Sequence, residues 1–131
     1  SNGKDYYQAN YRKLDAELAA FADSLRQVLA PVRGQAFVVW HPALSYFARD
    51  YGLEQIGIEY EGKEAPAGFV AEKMKEARKK NARVFFMQTG AGSRQAETVC
   101  AGIGLRRVEI NPLSYDWKKE MRRIADGITS E

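Results

Sequence analysis

One cysteine, Cys100, stands in the whole chain, so no disulfide can close within it and the redox compartment stays open. One histidine, His41, is present, which excludes any site that needs several imidazoles from this chain alone. No run of eighteen apolar residues occurs, so no stretch reads as a membrane-spanning helix. Repeats and low-complexity tracts are absent too. Neither an initiating Met nor a leader-peptide pattern opens the chain. Residues 1–3, Ser-Asn-Gly, read as a remnant of expression cloning, and the rest as part of a longer protein.

What is present suits one folded domain. The 131 residues are 45% hydrophobic, which fills a single core and excludes a disordered composition. The net charge is +3 with both signs interspersed. The densest basic run, Arg78 to Arg83, follows Glu72 and Glu76 and reads as a solvated helix end. It lacks the aromatic and glycine pattern of a nucleic-acid module, so no nucleic-acid partner is expected.

Residues 4–30 read as one long helix. Tyr7, Tyr11, Leu14, Leu18, Phe21, Leu25 and Val28 recur at steps of four and three, and Pro31 and Gly34 end the pattern. Such a helix is about 40 Å long, against a diameter of about 35 Å for a domain of this size. Its stripe serves either a coiled coil, hence a homodimer through the helix, or a domain with a second domain beyond it.

Strands and helices then alternate. Apolar runs at 36–40, 54–60, 83–87 and 105–110 read as strands; 42–51, 67–80, 93–103 and 115–128 read as amphipathic helices. The expected fold is α/β: a four-stranded parallel sheet in the order 2-1-3-4 with helices on both faces, preceded by the long helix.

In such sheets ligands sit beyond the carboxyl ends of the strands, where the order reverses. His41 follows the first strand, and Pro42 suits the first helical position, which makes His41 a helix cap at that rim. Gln88 follows the third strand and faces the same crevice. Two readings stand: His41 caps a helix while Gln88 bonds a loop, or the two are ligands of a metal ion. Zinc takes about four ligands, so two fall short, and on the residues alone the balance lies with capping.

Other candidates are weaker. "TGAGS" (89–93) is a glycine-rich turn that could cradle an anion, which keeps open a Rossmann-like nucleotide-binding or enzymatic domain. It lacks the lysine and spacing of a phosphate loop. Ser45 has no orienting acid, Cys100 reads as a buried inert thiol, and Glu59, Glu61 and Glu64 read as solvated loop carboxylates.

"YQANYRKLDAELAAFADSL" followed by "FVVWHPALSYFARDYGL" resembles the zinc- and manganese-binding solute receptors of ABC importers, a family of two α/β lobes joined by one long helix. Tyr7 and Asn10, the turn at 64–66, "ARVFFMQ" and "AETVCAGIGLRRVEINPL" extend the resemblance over residues 4–130. It implies that 4–33 is the backbone helix and 34–131 the C-terminal lobe. The function implied is capture of Zn2+, or Mn2+, outside the cytoplasmic membrane, without catalysis.

The resemblance also makes His41 the C-lobe metal ligand and puts Gln88 where the family often has a carboxylate. Trp40 and Thr89 become neighbours that shape the pocket. Its implied partners are the N-terminal lobe of the same parent and an ABC permease, in a periplasmic or envelope-anchored setting. Metal binding by this part alone is expected to be weak or absent. In the parent, binding should weaken as pH falls toward about 6, because protons compete for imidazole.

Overall fold

A computed structural model describes residues 2–61, 65–88, 94–111 and 114–130, with side chains from Gln8 onward. Among these residues lie four strands: β1 (Ala36–Val39), β2 (Glu54–Gly57), β3 (Val84–Gln88) and β4 (Arg106–Ile110). Five α-helices accompany them: α1 (Asn2–Leu29), α2 (Ser45–Tyr51), α3 (Ala67–Lys79), α4 (Arg94–Ile103) and α5 (Trp117–Thr129). The strands form one parallel sheet in the order β2-β1-β3-β4, the expected topology.

Alternation along the strands sorts the core into two layers. Phe37, Val39, Val84 and Phe86 face α1, α2 and α5, packing with Phe21, Leu25, Leu29, Phe47, Ile124 and Ile128. Ala36, Val38, Ile56, Phe85 and Met87 face α3 and α4, packing with Ala77, Ala96 and Val99. Phe37 and Phe86 meet edge to face across β1 and β3, centroids 5.6 Å apart. These strands are apolar along their length because both faces are covered.

The stripe of α1 divides in two. Phe21, Leu25 and Leu29 are buried, and Phe21 meets Trp117 of α5 edge to face at 5.3 Å. Tyr11 and Leu14, at 61% and 54% exposure, stand clear of the core. Val28, expected on the inner face, is exposed and Leu29 takes its place. The inner face thus runs Phe21, Leu25, Leu29 at steps of four, and a 3-10 turn at Ala30–Val32, containing Pro31, ends the helix. Gly52 closes α2 in the left-handed conformation, φ 68°, and its carbonyl accepts from Gly34 N at 2.7 Å.

Candidate metal centre

The rim beyond the sheet is built by β1 and the turn that follows it. Trp40 N donates to Phe86 O at 3.2 Å, which carries the sheet's bonding one residue past β1. His41 comes next, and a tight turn follows in which Ala43 N donates to His41 O at 2.7 Å. The helix then starts at Ser45, not at Pro42. Its cap is Leu44, with no side-chain capping bond, so His41 does not cap it. The tight turn over 41–43 departs from helical geometry, and Gln55 Oε1 on β2 accepts from Leu44 N at 2.9 Å, tying that turn to the neighbouring strand.

Three alternate residues of the edge-strand segment face this turn. Gln55 bonds Leu44 N and also donates from Nε2 to Ser45 Oγ at 2.9 Å. Gly57 lies against Pro42; a Cβ there would sit 3.4 Å from the proline ring, an ordinary contact. Glu59 continues the ladder, its N donating to Trp40 O at 3.0 Å, and its Oε2 lies 2.8 Å from His41 Nδ1. The Glu59 side chain is only 18% exposed against 53% for His41. Glu59 is therefore not the free loop carboxylate expected of it. Glu61 is exposed, at φ 50°.

Gln88 is the last residue of β3, paired with Ile110, rather than the first residue beyond the strand. The register pairs Val39 with Phe86. Gln88 therefore lies on the strand beside the one that His41 follows. Thr89, the "TGAGS" turn with Ser93, and Glu64 lie outside the described residues. Behind the rim, Gln95 of α4 accepts from Ala65 N at 3.0 Å and donates to Ala65 O at 2.9 Å, tying the approach to α3 against α4.

The remaining candidates have structural partners. Ser45 Oγ receives the Gln55 amide and reaches Pro42 O at 3.4 Å, which gives it no activating base. Cys100 is half-buried, and burial pushes its thiol above the usual range, with Arg107 pulling it down and Glu97 raising it further. In the basic run, Arg78 donates to Gly102 O at 3.2 Å and Lys80 pairs with Glu76 and Glu54. That run spans the end of α3 and the loop into β3, so it sits at the amino end of the strands, opposite His41.

Among the described residues, no group of three or more His, Cys, Asp and Glu side chains gathers to hold a metal ion. The rim offers one imidazole, one carboxylate behind it and one amide. Glu59 is the residue that reading the sequence missed. Its signal was the period-two series Gln55, Gly57, Glu59, which shares one face of the segment next to His41.

An open parallel sheet with a polar rim beyond its carboxyl ends, packed against a helix that outreaches its core, is an α/β architecture whose usual place for a ligand is that rim. The family model "Zinc-uptake complex component A periplasmic" matches residues 1–130, and the chain belongs to that family. The high-affinity zinc uptake system protein ZnuA of Bacillus subtilis (strain 168) is 27% identical over 121 residues, covering 91% of this chain and 38% of its own length. A crystal structure of ZnuA superposes with a TM-score of 0.88 at 35% identity, covering 95% of this chain and 49% of that one. A zinc-bound ZnuA deletion mutant gives 0.86 at 35% identity, covering 97% and 49%. The chain thus spans about half, or less, of the proteins it matches. The resemblance to zinc-binding receptors of ABC importers is borne out by these matches.

Proposed function

We propose that this chain is the connecting helix (4–33) and C-terminal lobe (34–131) of an extracytoplasmic receptor that captures Zn2+ for an ABC importer. His41 is the ligand this lobe contributes. The observation that carries the reading is the placement of the chain's one imidazole: on the rim, half exposed, its Nδ1 engaged by a carboxylate and its second nitrogen left for a ligand. Membership of the zinc-uptake family supports it.

The chemistry favours zinc over manganese. Imidazole suits zinc, whereas manganese prefers carboxylate and other oxygen donors. Gln88 supplies a neutral amide oxygen, a poor substitute for a carboxylate toward a hard ion, and acts as a weak ligand or through water. With one imidazole and one amide, this lobe needs the ligands of an N-terminal lobe to reach zinc's coordination number. The ion is cargo: it is bound, carried outside the cytoplasmic membrane in the periplasm or at the cell envelope, and handed to a permease, with no bond made or broken in a substrate.

Zinc affinity of the complete two-lobed protein, measured by chelator competition, tests the reading. The His41→Ala variant should bind at least about 10- to 100-fold more weakly, since even loss of a supporting residue typically costs that much. Unchanged affinity would return His41 to a structural role in the turn.

A further inference from the structure

We propose that Glu59 is a positioning residue that holds the proton of His41 on Nδ1 and aims Nε2 at the metal. This inference rests on the reading of His41 as a ligand. A carboxylate can only accept, so the 2.8 Å contact requires the imidazole proton to lie on Nδ1. The bond made by one ring nitrogen sets which tautomer the other presents, and Nε2 is left with its lone pair.

The geometry is built rather than incidental. Glu59 is tied by its own N–H to Trp40 O, the residue before the histidine, so carboxylate and imidazole hang from adjacent rungs of one ladder. Ile58 N bonds Val39 O at 3.1 Å, and the Ile58 side chain is buried, which anchors the segment from beneath. Gln55 holds the turn leaving His41 from the same face. Without these contacts a half-exposed histidine would sample several rotamers and both tautomers. Glu59 also brings a negative charge to the rim, one imidazole away from the ion, where Gln88 supplies none.

The single histidine makes the test direct. In this chain labelled with 15N, at about pH 8 where imidazole side chains are neutral, a long-range 1H–15N correlation shows one histidine spin system and reads its tautomer. The Nδ1–H form should dominate, and Glu59→Leu should convert it to a mixture while the backbone amide spectrum stays dispersed. A dominant Nε2–H form in the unaltered chain overturns the proposal, and this result is available even if the variant does not fold. An unchanged tautomer in a folded Glu59→Leu variant overturns it as well.

In the two-lobed protein, Glu59→Leu should weaken zinc binding by about 10- to 100-fold. If His41→Ala weakens binding and Glu59→Leu does not, positioning fails and the ligand reading stands. If His41→Ala changes nothing, the ligand reading fails and the aim of Nε2 at a metal falls with it, whatever the tautomer.

Discussion

Gln55 is where the architecture of the rim is most directly open to measurement. Its amide makes two bonds to the turn after His41, to Leu44 N and to Ser45 Oγ, both at 2.9 Å. Gln55→Leu keeps the bulk and removes both. A neutral hydrogen bond is worth about 1 kcal/mol net, and a donor left unpaired in a half-buried place costs about 1–3 kcal/mol. Ser45 is exposed and finds water, so its share is small; Leu44 has a buried side chain, and its N–H has less access to solvent. The expected loss is about 2 kcal/mol. Unfolding entropy near 2.1 cal/mol/K per residue, taken over 131 residues, makes this a fall in Tm of about 7 °C. Gln55→Glu should recover most of it, because a carboxylate oxygen can accept from Leu44 N and from the Ser45 hydroxyl once that hydroxyl turns. Calorimetry on the three proteins decides. A Gln55→Leu variant within about 0.5 kcal/mol of the parent, or a Gln55→Glu variant as unstable as Gln55→Leu, would refute the claim that this amide holds the turn.

Three further outcomes can be checked by urea denaturation. On α1, Leu25→Ala should cost ~2–5 kcal/mol because Leu25 is 4% exposed, whereas Leu14→Ser should stay within ~0.5 kcal/mol because Leu14 stands clear of the core. Gly127→Ala should destabilise although alanine favours a helix by ~1 kcal/mol: its Cβ would lie 2.9 Å from Phe86 Cε1, and Phe86 is fully enclosed, so overpacking of ~1–3 kcal/mol prevails. For Cys100, burial raises the thiol in the folded chain above its ordinary value of 9.0. The unfolded chain therefore loses this proton first, and stability should fall as pH rises past about 9, with no contribution from this group at neutral pH. The decline between pH 7 and 10 should be shallower in Cys100→Ala; equal slopes would refute the assignment.

Much of the fold is legible in the sequence because the elements obey local rules. The apolar runs of β1 and β3 are short, β-branched or aromatic, and bounded by turn residues, which marks strands covered on both faces. Strand and helix alternation with right-handed crossovers then leaves few topologies. The boundaries that differ do so where tertiary contacts override local preference. Proline at 42 is well suited to begin a helix, yet the helix begins at Ser45, after a tight turn over 41–43 that Gln55 of β2 ties down through the Leu44 N–H. Likewise the heptad-like stripe of α1 looks uniform from Tyr11 to Val28, but burial starts only at Phe21, where Trp117 of α5 meets it. No local pattern records where the covering helix ends.

The site is legible in part, and for a different reason. His41 draws notice because it is the chain's one histidine and follows a buried strand; Glu59 does not, because a lone carboxylate near a strand end is ordinarily solvated. What separates the two cases is register. Once Val38 is paired with Ile56 and Val39 with Gly57, Gln55 and Glu59 must share the face of Gly57, the face toward which the turn after β1 folds. A shift of one residue would send the Gln55 and Glu59 side chains into the layer now filled by Ile56 and Ile58, burying a carboxylate without a partner, which is costly. The same alternation that packs Ile56 and Ile58 into the core thus delivers Glu59 to the imidazole.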